Sequence, residues 1–361
     1  MNDNSAASGG ALPAQAGSAG LPPEAPRTGR GGGPGVSASP VATFMRSGAA
    51  RSLGLVVALV VLFVVGIITA GDRFASVDNM LTILRLASVI GVVSIGMTFV
   101  ITGGGIDLSV GAIVALASVW ATTLATQTMA NDYHWTLMVT TALLVGTGCG
   151  LVNGVLVAYG RVVPFIATLA MLAGARGLAE ILAGRRTQIV DVDGFTDFFG
   201  ASVLGVPVLV IIFALVAAVG WVVFNRTTFG RRTFAVGGNP EAARLAGIKV
   251  KRHTMLLYAL VGLCCGIAAI MLMSRTTTGS STHGLLYELD AIAAVVIGGT
   301  LLSGGRGTIV GTVFGVLIFT MLSNVFTLNN LSTSAQAVAK GLIIVVAVLL
   351  QQRLAARSTS T

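Results

Sequence analysis

The sequence predicts an all-α polytopic membrane protein with about ten transmembrane helices. Apolar residues make up 54% of the chain and charged residues only 10%, whereas a soluble domain carries about 25% charged residues. Apolar runs of about 20 residues, each long enough to span a bilayer, recur from residue 53 onward. The 47 glycines favour close packing between such helices.

Ten apolar segments carry this prediction. The segment that begins at Pro164 starts as a helix should, because proline suits the first helical position. The segment 288–302 is short, so we expect it to be broken or re-entrant. Ten crossings would leave both termini on the same side of the membrane. The predicted spans are 53–70, 81–102, 107–127, 135–159, 164–183, 203–224, 254–273, 288–302, 308–326 and 336–352.

The two ends of the chain are predicted to lie outside the membrane. Residues 1–40 are mostly Gly, Ala, Pro and Ser, and so few large apolar side chains cannot form a core. We therefore predict a disordered cytoplasmic tail at 1–45 and a short cytoplasmic tail at 354–361. Between them lies a membrane domain, 46–353, which contains a cytoplasmic loop at 225–253.

The basic residues predict the orientation of the chain. The net charge of +9 does not indicate a nucleic-acid binder, because Arg and Lys cluster at the ends of apolar runs, as the positive-inside rule expects. With both termini in the cytoplasm, most of the 22 basic residues face the cell interior. The residues on that side are Arg27, Arg30, Arg46, Arg51, Arg161, Arg226, Arg231, Arg232, Arg244, Lys249, Lys251, Arg252, Arg306, Arg353 and Arg357.

The segment TFGRRTFAVGGNPEAARLAGIKVKR (228–252) contains start and stop signals for a short helix. Asn239 suits the N-cap, Pro240 the first helical position, and Glu241 the positive end of the helix dipole. Gly247 suits the position just past the helix. So short a helix is not stable alone in water. We therefore expect it to dock on a soluble partner in the cytoplasm.

A second signal lies in GMTFVITGGGIDLSVGAIVALAS (96–118), where three consecutive glycines interrupt a long apolar run. The break exposes backbone groups that protein or water must satisfy. Asp107 and Ser109 follow it directly. Two compatible interpretations remain open: Asp107 is the N-cap of the next helix, or the broken helix lies beside a translocation path.

Charged side chains inside the predicted spans also have two interpretations. Arg176 and Glu180 are four residues apart and share a helix face, so we expect an ion pair, or else polar contacts along a pathway. Asp290, two residues after Glu288, lies near the start of a span, either at the interface or in the pathway. The side chain of Lys340 is expected to extend from its helix end to the outer surface of the membrane.

A weak internal repeat divides the membrane domain into two related halves, near 79–183 and 254–352. GTGCGLVNGVLVAYG (146–160) resembles GTIVGTVFGVLIFTM (307–321), and each run is predicted to open a helix. Related halves with interrupted helices are typical of transporters.

Signatures of catalysis are missing from the sequence. No lysine follows a glycine, so there is no Walker A loop. The histidines are scattered and share no metal-ligand spacing, and the three cysteines lie within apolar runs. We predict no enzyme activity, metal or cofactor for this chain. Energy must come from a partner or an ion gradient.

Four motifs in order resemble the permease subunits of bacterial ABC importers for simple sugars, the ribose, xylose and galactose type. They are GMTFVITGGGIDLSVGAIVAL, GRVVPFIATLAML, TTFGRRTFAVGGNPEAARLAGI and DAIAAVVIGGTLLSGGRGTIVGTVFG. The resemblance implies an inner-membrane homodimer or paired permease, a cytoplasmic ATPase that binds ATP and magnesium, and a periplasmic binding protein that delivers a monosaccharide or polyol.

The resemblance also implies site residues. EAA at 241–243, with Gly247 after three further residues, matches the start of the wider coupling motif, although its Ile-x-Leu-Pro half is absent. The expected ATPase-coupling residues are Gly237, Gly238, Asn239, Pro240, Glu241, Ala242, Ala243, Leu245 and Gly247. The pathway candidates are Gly103, Gly104, Gly105, Asp107, Ser109, Asn153, Phe165 and Asp290.

Two other classes of function remain open from the sequence. An ion-coupled secondary transporter would need intramembrane carboxylates, for which Asp107, Glu180 and Asp290 are the candidates. A membrane scaffold or receptor would need no transport at all. The sequence does not choose between ribose, xylose, galactose, inositol and related polyols.

Overall fold

The computed structural model describes residues 48–359, with side chains described over 53–346 and at 348 and 349. The predicted tail at 1–45 lies outside this range. The helices are α1 (Gly48–Ala70), α2 (Asp72–Ala75), α3 (Val77–Thr102), α4 (Val110–Ala121), α5 (Leu124–Asp132), α6 (Thr136–Ala158), α7 (Pro164–Ala183), α8 (Asp193–Gly200), α9 (Val208–Arg226), α10 (Thr228–Gly238), α11 (Pro240–Leu245), α12 (Val250–Thr276), α13 (Tyr287–Ile297), α14 (Ile309–Leu328) and α15 (Thr333–Thr359). The strands are β1 (Gln188–Ile189), β2 (Ser202–Val203), β3 (Val206–Pro207) and β4 (Thr278–Gly279).

The described helices form a polytopic membrane protein. Seven of them are long and apolar enough to cross a bilayer, namely α1, α3, α6, α7, α9, α12 and α14. Helices α4 and α5 meet at a bend of 55° and would together make an eighth span. Helix α13 has only 11 residues, and within the part of α15 whose side chains are described the apolar stretch covers Thr333–Val346. Each of the ten predicted segments coincides with a helix, but helix length supports seven or eight spans.

Helices α3 and α12 form the centre of the fold. In the most apolar 18-residue stretch of each helix, 78% and 67% of the residues are buried, respectively. Helix α12 packs against α6 through glycines. A Cβ atom on Gly146 would lie 2.5 Å from the carbonyl oxygen of Gly262, and one on Gly266 would lie 2.7 Å from that of Ala142. Glycine therefore allows the two backbones to touch, as in other membrane helix pairs.

The loops gather at two ends of the molecule. At one end, the backbone N–H of Gly305 donates to the carbonyl oxygen of Thr102 at 2.9 Å, which joins the 298–308 loop to the end of α3. At the other end, β1 pairs with β4 in an antiparallel register. Helices α10 and α11 lie at the end that contains the 298–308 loop, and we call this the basic end. The end that contains β1 and β4 is called the opposite end.

Charge separates the two ends. In the described loops and adjoining helix termini, the basic end carries Arg161, Arg226, Arg231, Arg232, Arg244, Lys249, Lys251, Arg252 and Arg306, with Glu241 as its exposed acidic residue and Asp107 buried in the turn after α3. The opposite end mixes both signs, with Asp72, Arg73, Asp78, Asp132, Arg185, Arg186, Asp191, Asp193, Asp197 and Arg275. The asymmetry has the form that the positive-inside rule describes.

Two details of the fold differ from the sequence prediction. Residues 228–238, expected as loop, form α10, because the Thr227 hydroxyl caps the backbone N–H of Gly230 at 3.4 Å and an apolar face packs inward. The run 146–160 does not open a helix. It forms the second half of α6, where its glycines contact α12, whereas 307–321 does contain the start of α14. The two runs are therefore not equivalent in structure.

Candidate functional site

Helix α11 begins and ends as its sequence predicts. The Oδ1 atom of Asn239 accepts hydrogen bonds from the backbone N–H groups of Glu241 at 3.1 Å and Ala242 at 2.9 Å. Pro240 is the first helical residue, and the helix ends at Leu245. Gly247 then adopts a φ of 82°, a conformation that L side chains rarely adopt. The short capped helix is confirmed.

The outer face of α11 is exposed. Leu245 is 75% exposed, whereas Ala243 is buried against the chain that follows. The Arg244 guanidinium binds the carboxylate of Glu241, with 2.6 Å between Nη2 and Oε1. These hydrogen bonds, together with the positive charge, lower the pKa of Glu241. The face therefore combines an exposed leucine with an ion pair and small alanines, and no other described residue covers it.

Helix α10 connects α11 to the membrane helices. The Thr233 hydroxyl lies 2.9 Å from Nε2 of His253, at the start of α12, and both residues are buried. The ring of Phe229 lies 4.6 Å from that of His253. The ring of Phe234 packs at 4.7 Å on Phe224, near the end of α9. Helix α11 is thus held at a fixed position relative to α9 and α12.

The predicted break after α3 is present. The helix ends at Thr102, and α4 does not begin until Val110. Gly104 has a φ of 85°. A Cβ atom on Gly105 would lie 2.6 Å from the hydroxyl oxygen of Tyr258. Gly104 is therefore required by its backbone conformation and Gly105 by contact with Tyr258 of α12, while Gly103 also lies against α12, at Leu257.

Three pathway candidates meet in one buried cluster. The Oδ1 atom of Asp107 accepts hydrogen bonds from the backbone N–H of Ser109 at 2.8 Å and from its hydroxyl at 2.5 Å. The amide nitrogen of Asn153, on α6, donates to the Ser109 hydroxyl at 2.9 Å. All three residues are fully buried within one chain. They stabilise the turn between α3 and α4 and do not line an open channel there.

Asp107 does not occupy the N-cap position. Ser109 directly precedes the first residue of α4, and the backbone N–H that the Asp107 side chain reaches is that of Ser109, not one inside the helix. In the described part of the chain, one oxygen of Asp107 and the side-chain oxygen of Asn153 have no hydrogen-bond donor. Asp107 thus closes a turn two residues before the N-cap position of α4.

The remaining two pathway candidates lie apart from this cluster. Phe165 is 52% exposed, on the first turn of α7. Asp290 forms an ion pair with Lys340 of α15, with 3.3 Å between Nζ and Oδ1. The expectation that Lys340 extends to the membrane surface is therefore wrong. The mostly buried carboxylate attracts the ammonium group, which also lies 5.0 Å from the Phe319 ring centroid.

The expected ion pair between Arg176 and Glu180 is also wrong. Arg176 donates to the carbonyl oxygens of Ser281 and, at 2.8 Å, of His283, whereas Glu180 lies 3.7 Å from Arg185. The carbonyl groups of the irregular segment between α12 and α13 need donors, and Arg176 supplies them. The sequence analysis missed this segment, which Gly279 and Gly284 could have indicated.

The comparison with protein families decides the class of protein. The family described as "Branched-chain amino acid transport system / permease component" matches residues 79–349, which is most of the chain. The chain belongs to this permease family. The permease is thus the membrane component of an ATP-driven importer, and ATP hydrolysis belongs to a separate subunit.

Curated relatives of the permease are named for sugar import. It is 41% identical over 308 residues to the ribose import permease protein of Bacillus subtilis (strain 168), covering 85% of this chain and 94% of that one. It is 38% identical over 305 residues to the L-arabinose ABC transporter permease protein of Azospirillum brasilense, covering 83% and 87%. It is 34% identical over 325 residues to the galactose/methyl galactoside import permease protein of Escherichia coli (strain K12), covering 85% and 94%.

No solved structure matches the permease. The sequence relatives confirm the family that four motifs had indicated.

Proposed function

We propose that this permease imports a monosaccharide, with a pentose such as ribose as the first substrate to test. The observation that supports this is the named function of its curated relatives, which are ribose, arabinose and galactose permeases. The family description names branched-chain amino acids instead. We favour sugars because the relatives match nearly the whole described chain, with the interrupted helices included.

The proposed setting is the bacterial inner membrane, crossed ten times, with both termini in the cytoplasm. Helix α4 with α5, helix α13 with the adjoining irregular segments, and α15 would supply the crossings beyond the seven long helices. The concentration of Arg and Lys at the basic end supports a cytoplasmic location for that end. Trp221 and Tyr159 suit a membrane interface at this end, where Arg226 lies 5.3 Å from the Trp221 ring and Lys251 lies 5.9 Å from the Tyr159 ring.

We propose that α11 docks on a cytoplasmic ATPase, which binds ATP and magnesium. The helix supports this role because it is capped at both ends, rigidly connected to α9 and α12, and exposed on its outer face. A docked helix buries its apolar side chain, and Leu245 is the exposed leucine available for that contact. The proposed coupling residues are Gly237, Gly238, Asn239, Pro240, Glu241, Ala242, Ala243, Leu245 and Gly247.

The proposed pathway runs between two copies of the permease, along α7. Only 22% of the residues in the apolar stretch of this helix are buried, yet the helix carries Arg176 and Glu180 between its two ends. Charged groups in membrane spans face protein or water and not lipid. Phe165 lies on nearly the same face as Arg176, because 11 residues correspond to about three helical turns. By contrast, 11% of the residues in the apolar stretch of α1 are buried, and the apolar side chains of α1 suit contact with lipid.

In this proposal the glycine break between α3 and α4 does not line the pathway but holds neighbouring helices in position. Gly103, Gly104 and Gly105 with Asp107, Ser109 and Asn153 would fix the position of α4, and Asp290 would fix that of α13. A periplasmic binding protein would release the sugar at the opposite end. Weak contacts along the pathway suit this task, because tight binding would slow release.

The experiment is uptake in vesicles that contain the permease, its cognate ATPase and its binding protein. We expect accumulation of labelled ribose, arabinose or galactose that requires internal ATP, persists with an ionophore and is not reduced by excess leucine. An ATPase variant that cannot hydrolyse ATP is the control. Uptake that the ionophore abolishes would indicate an ion-coupled transporter, and uptake of leucine in place of sugar would indicate an amino-acid permease.

A further inference from the structure

Three glycine-rich turns meet at the basic end, and we propose that this junction transmits the movement of α11 to both interrupted helices. The turns contain Gly104, Gly237 and the pair 304–305. The proposal rests on the proposed ATP-driven function, and it assigns positioning roles to residues outside the docking face. We call this contact the glycine junction.

The three turns touch through their backbones. A Cβ atom on Gly237 would overlap the carbonyl oxygen of Thr102 and would lie 2.8 Å from the backbone nitrogen of Gly305. One on Gly304 would lie 2.7 Å from the carbonyl oxygen of Gly237 and 3.0 Å from the Cα of Gly104. The hydrogen bond from Gly305 to Thr102 closes the contact. No side chain separates the turns, so there is no flexible group to absorb a displacement.

The glycines of the junction are required for different reasons. Gly104, Gly304 and Gly305 have φ values of 85°, 83° and 73°, which favour glycine whatever the space around them. Gly237 lies in the last turn of α10 without a positive φ. Its lack of a side chain is therefore required by the contact alone. It lies two residues before Asn239, the N-cap of α11, so a movement of α11 acts on it directly.

Each of the other two turns leads to an interrupted helix. The chain after Gly104 passes through the turn that Asp107 closes and then enters α4. The chain before Gly304 comes from α13, whose end is packed so tightly that a Cβ atom on Gly298 would lie 2.5 Å from the backbone of Gly311. A shift of the junction therefore reaches α4 and α13 together, without passing through the long spans α9 and α12.

Neighbouring glycines provide a matched test. Gly237→Ala inserts a methyl group into the junction, whereas Gly238→Ala adds the same group to the same helix end, where no described atom lies within 4 Å. Both variants are measured in vesicles with the ATPase and binding protein. We expect G237A to keep the ATPase bound, because Gly237 lies in α10 and not on the exposed face of α11. Its uptake and its stimulation by the binding protein should fall about tenfold, within the range by which single residues change coupling. G238A should retain several-fold more uptake than G237A.

A second pair of variants covers the case in which G237A does not insert. Gly104→Ala is milder, since its nearest junction atom is 3.6 Å away. Gly71→Ala places an alanine at another positive φ, of 57°, at the opposite end and with open space around it. We expect G104A to lower the sugar transported per ATP hydrolysed and G71A to leave it unchanged.

Three results would overturn the junction proposal: equal uptake in G237A and G238A, release of the ATPase by G237A, or equal coupling in G104A and G71A. Wild-type vesicles that import no sugar with ATP would instead refute the proposed function, and that outcome is measured before any variant.

Discussion

Asp290 of α13 and Lys340 of α15 form an ion pair across 3.3 Å, with only 13% and 23% of their side chains exposed. The pair attaches the short helix α13 to the last helix of the chain. It accounts for two charges that the sequence left with several interpretations, and it gives Asp290 a partner that a sugar-binding role would not require.

Removing one partner of this pair should destabilise the permease. In Lys340→Met, Asp290 remains mostly buried without a counter-charge, and we expect a loss of about 3 kcal/mol in the free energy of unfolding. The double variant Asp290→Leu with Lys340→Met should recover most of it, because no buried charge is then left. The midpoint of thermal aggregation in detergent measures both. A double variant that is stable but transports no sugar would contradict the structural role and support a pathway role.

The end of α11 can be disrupted without touching the membrane helices. Gly247→Pro cannot adopt the φ of 82° that follows the helix, and Glu241→Arg places a cation beside Arg244. We expect the combined variant to insert normally but to lose the ATPase and uptake, as measured by co-purification and vesicle transport.

The control for that variant is Gly205→Pro. This glycine has a φ of 81° in the β2–β3 turn at the opposite end, with no described atom near its missing Cβ. It imposes the same backbone conflict away from α11. If the combined α11 variant still co-purifies with the ATPase to the same extent as Gly205→Pro, the docking role of α11 is incorrect.

Arg176 should support the irregular segment between α12 and α13. Arg176→Met leaves the carbonyl groups of Ser281 and His283 without a donor, and we expect a loss of about 1–3 kcal/mol in stability. The matched control is Arg185→Met, since the Arg185 side chain is 85% exposed and an exposed ion pair contributes little. A cysteine at Thr282 should become more reactive in the first variant alone. Equal reactivity in both variants would argue against this support role.

Asp107 should matter for the turn and not for sugar recognition. Asp107→Asn retains one oxygen that accepts both bonds from Ser109, so it should cost about 1 kcal/mol, whereas Asp107→Leu should cost about 3 kcal/mol. The KM for sugar uptake should be unchanged in Asp107→Asn. A shift in KM without a loss of thermal stability would instead indicate that sugar passes this side chain.

Local patterns in the sequence predicted local structure well. The apolar runs located the helices, the triple glycine located the break after Thr102, and the signals from Asn239 to Gly247 predicted α11. Each of these depends on neighbouring residues and on backbone chemistry. Helix α10 was missed because three of its 11 residues are glycine, and its stability comes from packing on His253 and Phe224.

Long-range partners could not be read from the sequence. Arg176 was assigned to Glu180 because four residues separate them, but its acceptors are more than 100 positions away in the chain. Lys340 was assigned to the membrane surface, but its partner Asp290 is 50 positions away. The glycine junction was invisible for the same reason, because its three turns come from distant parts of the chain.

The most direct test of the account is the accessibility of α11 in the cell. Ala246→Cys, in a chain whose three native cysteines are replaced, is exposed to a membrane-impermeant maleimide with and without the ATPase. We predict labelling in inside-out vesicles, protection when the ATPase is bound, and no labelling in intact cells. Labelling in intact cells, or labelling in vesicles that the ATPase leaves unchanged, would contradict the claim that α11 faces the cytoplasm and docks there.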